Sequence, residues 1–321
     1  MSEQSNNQTL RRTTIGGQAL IEGLMMIGPE KRAMAVRNPE GEIELEFLET
    51  GVVSKAETIP FLRGPVRVFK QLVLGTKALM RSADIAEPED DEQETAKTET
   101  SAKEMNKKTS EFGLYLSAIV SILFSVLIFM LLPGLMVDGL KLLLRIDLSA
   151  NRWISLGLTL LEGLIRVGIF ILYLWLVSKM KDIKRVWQYH GAEHKTIACY
   201  EARMPLTVEN IRGFSRLHPR CGTSFMFLIM IVSIIILAFI GWRSRLINLI
   251  VRLFLLPIIA SLTYELIRVV GRHDNFLTRA ISKPGMAMQK LTTAEPDNSM
   301  LEVAIVAMEA VIPDQEGSDE W

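Results

Sequence analysis

"TSFMFLIMIVSIIILAFIGW", residues 223–242, is a stretch of 20 residues without a single charged side chain. About 20 apolar residues of helix span the hydrocarbon core of a bilayer. Three further apolar stretches of similar length lie at 112–132, 153–177 and 247–270. Four core helices of this length would be unusual in a soluble protein. The sequence therefore predicts an α-helical polytopic membrane protein with four transmembrane helices.

The composition of the whole chain narrows the class further. The 321 residues include 36 basic and 36 acidic side chains, and nucleic-acid binders normally have a basic excess, so we expect no nucleic-acid partner. Two cysteines do not make a disulfide framework in a chain of this length, which favours a reducing compartment. The polar start "MSEQSNNQTLRR" lacks the apolar region of a signal peptide, so none is expected.

Lysine and arginine predict the orientation of the spans. Nine of them lie in the connection 179–221, whereas the hairpin after the third span has only three. Because cytoplasmic loops have an excess of these residues, we expect this connection and both termini to face the cytosol. The predicted location is the cell membrane, with the lipid bilayer as partner.

The N-terminal part reads as a small α+β cytosolic unit. "RAMAVR" (32–37) and "EIELEF" (42–47) alternate apolar and polar residues around the turn sequence "NPEG", which predicts a β-hairpin. The preceding "GGQALIEGLMMIGP" is not a P-loop, because no Gly-Lys-Ser/Thr follows it. Close backbone packing is the favoured explanation of its glycines, and anion binding is the other.

Shifts in composition predict the organisation of the chain. The expected parts are a disordered N-terminus at 1–12, a small β-containing cytosolic unit with a basic amphipathic helix at 13–83, an acidic disordered linker at 84–110, a four-span membrane domain at 111–270 with its cytosolic connection 179–222, and C-terminal cytosolic helices and tail at 271–321.

Three further helices are predicted outside the spans. The first has a basic stripe formed by Arg63, Arg67, Lys70, Lys77 and Arg81, with apolar residues over much of the remaining surface. A helix lying in an anionic leaflet shows this pattern, and so does a helix packed on the β-containing unit with a solvated basic face. The other two helices are expected at 275–291 and 296–312, the latter capped by Asn298 or Ser299.

The residues with the clearest chemical potential lie in "YHGAEHKTIACYE", residues 189–201. On a helix, His190 and His194 share a face, so their imidazoles can ligate one divalent ion. Glu193 beside them can take a proton from water as general base, which makes it the predicted catalytic residue. The order His-x-x-Glu-His is also that of the inverted zincins. Some of those peptidases take a third ligand from a distant glutamate, for which Glu265 is the counterpart here.

A second ligand set competes with this one. "HPRCGTSF" supplies His218 and Cys221 directly before the third span. Together with His190 and His194 they would give a shell of three nitrogens and one sulfur suited to zinc. A filled shell would be structural and an open position would indicate catalysis. A histidine motif this short also recurs by chance, and interfacial histidines often only form hydrogen bonds.

Two charged residues are expected inside the second span. Glu162 and Arg166 lie four residues apart near its middle, where an unpaired charge is costly. An ion pair that joins helices is the favoured interpretation, and a substrate contact is the other.

Five segments together resemble a bacterial integral membrane family of unknown function that has been labelled a predicted metal-dependent enzyme. They are "GGQALIEGLMM", "RNPEGEI", "QYHGAEHKTIACYE", "HPRCGTSF" and "LTTAEPDNSMLEVAI". The resemblance covers residues 13 to about 312 except for the acidic linker. It implies a multi-span membrane protein with a cytosolic His/Glu/Cys cluster, and it implies no particular substrate.

The leading hypothesis is a membrane protein that binds a divalent metal ion, zinc in the first place, and uses it in a hydrolase-like reaction at the cytosolic interface. His190 and His194 are the predicted ligands, Glu193 is the general base, and His218, Cys221 or Glu265 would complete the shell. The alternative is a non-enzymatic membrane scaffold or assembly factor with a structural His/Cys cluster. A transporter is the third class, and it would require a homo-oligomer because four spans are few.

Overall fold

The N-terminal segments form one antiparallel sheet with the strand order β1-β2-β3-β4. The strands are β1 (Gly16–Leu20), β2 (Gly23–Ile27), β3 (Arg32–Arg37) and β4 (Ile43–Phe47). The predicted hairpin is confirmed, because Ala33 of β3 pairs with Phe47 of β4 and Arg37 pairs with Ile43. Gly41 in its turn has φ +90°, a conformation that favours glycine.

The computed structural model describes residues 12–50, 54–87, 120–145, 152–241, 245–273, 275–315 and 317–320. The helices within these residues are α1 (Arg63–Ala86), α2 (Val120–Leu144), α3 (Arg152–Val177), α4 (Lys181–Glu201), α5 (Val208–Arg212), α6 (Gly222–Ile240), α7 (Arg245–Arg272), α8 (Phe276–Thr292) and α9 (Asn298–Val311). Most of the predicted N-terminal tail and acidic linker lies outside the described residues, although 84–86 continue α1.

The chain divides into two compact units. The first, which we call the sheet unit, comprises Met1–Pro88, Leu174–Ile229 and Ala260–Trp321. The second, the helical unit, comprises Glu89–Tyr173 and Met230–Ile259. The sheet unit is therefore assembled from three separate parts of the sequence.

Both faces of the sheet are covered, which explains why β2 and the middle of β3, Ala33 to Val36, are continuously apolar; the alternation predicted for β3 was wrong. Successive side chains of a strand point to opposite faces. Leu24, Met26 and Ala33 thus contribute to a core that contains buried residues of α4 and α9. Met25 and Met34 contribute to a second core with buried residues of α1. The sheet is a layer between helices.

Four helices are long and apolar enough to cross a membrane, as the sequence predicts. They are Val120–Leu144, Arg152–Val177, Gly222–Ile240 and Ile247–Arg272. In the most apolar stretch of 18 residues of each helix, at most 22% of the residues are buried by the rest of the protein. Apolar surface of this extent requires another apolar environment, so the chain is an α-helical membrane protein with a small N-terminal sheet.

The predicted end of the first span was wrong, because the helix extends further along the chain. It continues past residue 132 to Leu144, through Pro133. A π-helical turn at Leu127–Leu131 directly precedes the proline. Proline has no N–H for the carbonyl four residues earlier, that of Phe129, and Arg166 Nε donates to this carbonyl at 3.0 Å. A side chain of the neighbouring helix therefore compensates for the missing hydrogen bond.

The charged pair of the second span joins helices within the helical unit. Glu162 has 1% of its side chain exposed and accepts a hydrogen bond from Arg166 at 2.8 Å. Its second carboxylate oxygen accepts from Arg252 on α7. Since Arg166 also binds α2, the three side chains connect α2, α3 and α7. This geometry supports the ion-pair interpretation over the substrate contact.

Helix α1 packs on the sheet through small residues. Gly75, Ala78 and Ser82 are buried, and Ser82 Oγ accepts from the backbone of Ile21 at 3.2 Å. Several residues of the predicted basic stripe have partners: Arg63 binds Glu265, Arg67 binds Tyr264, Lys70 binds Glu57 and Arg81 binds Glu46. Large apolar residues of α1 such as Phe69 and Leu72 are exposed at 66% and 65%. Packing on the sheet is thus observed, and contact with a leaflet stays a prediction.

The two helices predicted after the last span are confirmed as α8 and α9. The predicted cap of the second was wrong. Asp297 is the N-cap, and its side chain accepts from the backbone N–H of Met300 at 3.0 Å. The helix begins one residue earlier than expected, so Asn298 already lies inside its first turn, and Ser299 Oγ donates to the Asp297 carboxylate at 2.7 Å.

Candidate metal centre

The histidine motif lies inside the sheet unit, on a stretch of α4 that is buried from 189 to 197. Gly191 is required there by a close approach of the segment that follows α8. A Cβ added at Gly191 would lie 2.1 Å from the carbonyl oxygen of Ala294. The Ala294 N–H donates to Trp187 O at 2.8 Å and joins this segment to α4. Glycine is unfavourable inside a helix, and tertiary packing thus explains why one occurs here.

Both histidines of α4 are oriented by backbone carbonyls. His190 Nδ1 lies 2.8 Å from Thr292 O, and His194 Nδ1 lies 2.6 Å from Arg216 O. A carbonyl oxygen only accepts, so each Nδ1 has the proton and each Nε2 presents its lone pair. A carbonyl on one ring nitrogen and a free lone pair on the other is how metal-ligating histidines are usually held.

The free nitrogens converge on one cysteine. His190 Nε2 lies 3.2 Å from Cys221 Sγ. The ligand atoms of His190, His194 and Cys221 all lie within 4.8 Å of one another, and we call these three residues the His/His/Cys trio. His194 Nε2 is buried and has no hydrogen-bond partner among the described residues. A buried nitrogen acceptor without a donor is costly, and a cation would satisfy it.

The spacing of the trio fits a small divalent ion. Zinc bonds of about 2.0–2.3 Å in tetrahedral geometry separate the ligand atoms by roughly 3.5 Å. The 3.2 Å between His190 and Cys221 is close to this value, and the 4.8 Å limit requires only a small side-chain adjustment. Cys221 is held from the start of α6, where the Thr223 N–H donates to its Sγ at 3.4 Å. The donor set of two imidazoles and one thiol suits zinc.

His218, another predicted ligand, belongs to an adjacent polar group. Its ring centroid is 5.6 Å from that of His194, but its Nε2 lies 3.5 Å from Glu201 Oε2. Gln289 holds its backbone, accepting from His218 N at 2.8 Å and donating to His218 O at 2.7 Å. Burial acts to raise the pKa of Glu201, yet this pKa lies below its ordinary value because His218 and the charge of Arg220 favour the carboxylate.

Glu193, the predicted general base, is buried beside the trio. Its Oε2 has no hydrogen-bond partner among the described residues. Burial raises its pKa, although a positive charge on His190, present only when that ring is doubly protonated, and the backbone N–H of Gly17 act in the opposite direction. Gly17 of β1 lies so close that an added Cβ would be 3.0 Å from the carboxylate carbon. Burial likewise lowers the pKa of His194.

Glu265, the remaining predicted ligand, is engaged elsewhere. Its carboxylate accepts from Arg63 Nε at 2.7 Å and from the backbone N–H of Phe61 at 3.2 Å. Its ligand atoms are not grouped with the trio in the described part of the chain. The structure thus brings His190, His194 and Cys221 together, sets His218 and Glu193 beside them, and pairs Glu265 with α1.

Sequence reasoning missed the residues that position the site. The carbonyls of Thr292 and Arg216 orient the two imidazoles, but backbone oxygens have no signature in a sequence. Gln289 is completely buried and binds both His218 and Ser224. Its one available signal was a polar residue among the apolar positions of α8. The glycine-rich stretch was noticed, but its contact with Glu193 requires the fold.

The fold and the site define a helical membrane protein with a buried cluster of two histidines and one cysteine that could hold a metal ion. The chain belongs to the family described as "Protein of unknown function (DUF1385)", whose profile matches residues 59–314. It is 34% identical over 301 residues to the "Uncharacterized protein YqhQ" of Bacillus subtilis (strain 168). The aligned region covers 90% of this chain and 89% of that protein. No solved structure matches the chain. The resemblance to a bacterial family of unknown function is thereby confirmed.

Proposed function

We propose that this protein binds one divalent metal ion, preferably zinc, through His190, His194 and Cys221 and acts as a hydrolase-like enzyme at the cytosolic side of the cell membrane. The observation that supports this most is the orientation of the imidazoles. Both donate Nδ1–H to a carbonyl, and both place a ligand nitrogen within 4.8 Å of the same cysteine sulfur. Their carbonyl partners lie 102 and 22 residues away in the chain, and one metal ion bound by both imidazoles would account for the shared arrangement.

Three protein ligands leave a coordination position open, which is the usual difference between catalytic and structural zinc sites. A bound zinc ion would act as a Lewis acid towards water and towards a substrate carbonyl or phosphoryl group. Glu193 is the proposed general base, because its Oε2 lacks a partner among the described residues and because it shares a helix face with His190, three positions earlier. His218 is not needed as a ligand in this proposal, and Glu265 is left out of it because Arg63 occupies its carboxylate.

The cytosolic location rests on the distribution of lysine and arginine. The connection that contains the histidine motif is far richer in these residues than the hairpin after the third span. A cytosolic site is also consistent with a free thiol as metal ligand, since both cysteines of the chain are unpaired by disulfides.

Elemental analysis of the purified full-length protein, prepared without chelators, tests the ligand set. We expect about one zinc ion per chain, and a loss of that metal in His190→Ala, His194→Ala and Cys221→Ala. Cys199→Ala is the matched control, because Cys199 is also buried but its thiol donates to the carbonyls of Met204 and Pro205 and lies outside the trio. A metal-free wild-type protein, or equal metal content in the Cys221 and Cys199 variants, would refute the proposal.

The second candidate is a scaffold in which the same metal is purely structural. The depth of the trio favours it, since His194 is 1% exposed and the site is packed against the main core. Glu193→Gln separates the two functions. It keeps the shape of the side chain, so metal content and stability should persist in both cases. Loss of complementation in a strain lacking the gene supports the enzyme, and full complementation supports the scaffold.

A further inference from the structure

A cleft of about 530 Å³ lies within the sheet unit and is bordered by His218. This volume is in the range of roughly 300–1,000 Å³ that is typical of small-molecule sites. We infer that the cleft binds the headgroup and the adjoining acyl chain of an anionic phospholipid. The inference goes beyond the proposed function and depends only on the shape and charge of the cleft.

One wall of the cleft is basic. Among the described residues that line it, four basic side chains accompany one carboxylate, that of Glu201; they are Arg12, Arg220, Arg279 and Lys283. Arg279 and Lys283 lie four residues apart on α8, so they share one face of that helix, and both are exposed. Arg220 is held in position by its ion pair with Glu201. The net positive charge of this wall favours an anionic group.

A second part of the lining, which we call the apolar wall, comes from helices that are candidates to span the membrane. Phe227 and Leu228 lie near the start of α6, and Ile267 and Val270 lie near the end of α7. Met286 of α8, three residues after Lys283, adds a further apolar side chain to the lining. The cleft therefore lies at one end of two spanning helices. A basic pocket between the ends of spanning helices is a recurring site for anionic lipid headgroups.

The two walls together select a phospholipid over a water-soluble anion. An inorganic phosphate would use only the basic wall, and it would leave the apolar side chains in contact with water. A zwitterionic lipid would fill the apolar part, but its ammonium group would face four basic side chains. An anionic headgroup with an acyl chain complements both walls.

Lipid titration of the full-length protein in a neutral detergent, read by native mass spectrometry, tests the inference. The ligands are dioctanoyl phosphatidylglycerol, dioctanoyl phosphatidylcholine and inorganic phosphate. We expect at least about tenfold tighter binding of phosphatidylglycerol than of phosphatidylcholine. Each basic side chain near an anionic lipid contributes enough for about a fivefold change, so Arg279→Gln with Lys283→Gln should weaken phosphatidylglycerol binding by roughly thirtyfold.

The control removes the same charge elsewhere. Lys181→Gln with Lys290→Gln changes two exposed lysines that do not line the cleft, and it should bind phosphatidylglycerol like the wild type. Met286→Trp tests the apolar part of the lining, because the larger side chain fills the cleft. It should weaken phosphatidylglycerol binding without removing a charge. The inference would be overturned if phosphatidylglycerol binding were weakened equally in the cleft variant (Arg279→Gln with Lys283→Gln) and in this control variant.

Two other outcomes would also contradict it. Equal affinity for the two lipids would make the cleft a nonspecific lipid contact. Binding of inorganic phosphate that excludes phosphatidylglycerol and is insensitive to Met286→Trp would make it a site for a soluble anion. Zinc content, measured in the same samples, is expected to stay unchanged in every variant. A failure of lipid binding is thus distinguishable from a failure of the metal site.

Discussion

Gly191→Ala tests whether the metal centre depends on the close contact between α4 and the segment after α8. In an isolated helix, this substitution would stabilise by about 1 kcal/mol, because alanine is the better helix former. The structure predicts the opposite sign. The added Cβ would lie 2.1 Å from Ala294 O, whereas carbon and carbonyl oxygen approach favourably to about 3.3 Å. The two segments must therefore separate by roughly 1 Å.

Such a displacement affects two hydrogen bonds. Ala294 N to Trp187 O and His190 Nδ1 to Thr292 O both measure 2.8 Å, and each would be stretched beyond bonding range. Each contributes about 0.5–1.5 kcal/mol, and overpacking adds about 1–3 kcal/mol. After subtraction of the helix-propensity gain, the expected net destabilisation is about 1–5 kcal/mol. Metal affinity should fall as well, since His190 loses the carbonyl that orients it.

The assay compares the thermal unfolding midpoint and the zinc content of the detergent-solubilised full chain. Gly168→Ala is the matched control, because Gly168 lies within helix α3 and an added Cβ there meets nothing within 4 Å. It should be as stable as the wild type or slightly more stable. If Gly191→Ala shifts the midpoint upwards like the control and keeps its zinc, the packing argument is wrong.

Three further predictions concern other parts of the molecule. Gln289→Leu leaves the backbone N–H and C=O of His218 without their partners, which costs about 1–3 kcal/mol of stability for each group and should lower the unfolding midpoint. Gln188→Leu removes one exposed hydrogen bond and should have little effect. Glu162→Leu leaves two arginines, only 13% and 12% exposed, without their ion-pair partner and should destabilise by about 3–5 kcal/mol, so a near-native unfolding midpoint would contradict the ion-pair role. The hydrogen bonds from Lys70 and from the Ser54 backbone lower the pKa of Glu57 to about 2 from 4.5, so its contribution to stability is complete above the unfolded pKa and is lost as the pH falls through about 2. The stability difference between wild type and Glu57→Gln should therefore shrink between about pH 5 and pH 2, and a constant difference would count against the pairing.

The four spans, the β3–β4 hairpin and the helices α8 and α9 were predictable because each depends on a local pattern. Hydropathy over about 20 residues or alternation with a period of two is set by neighbours in the chain. The wrong cap of α9 was a local error of one or two residues, whereas the wrong end of the first span arose where a distant residue intervenes. The first span passes through Pro133 because Arg166, from another helix, binds the carbonyl that the proline leaves without its donor.

The sequence by itself determined that His190, Glu193 and His194 lie together on one helix, and it offered three candidates to complete a site. Only the tertiary structure decided among them. It turned both Nε2 atoms towards Cys221, engaged His218 with Glu201, and paired Glu265 with Arg63. The physical reason is that helical periodicity is a property of adjacent residues. A shared ligand point depends on which backbone carbonyls fix each imidazole, and those carbonyls come from segments that only the fold brings together.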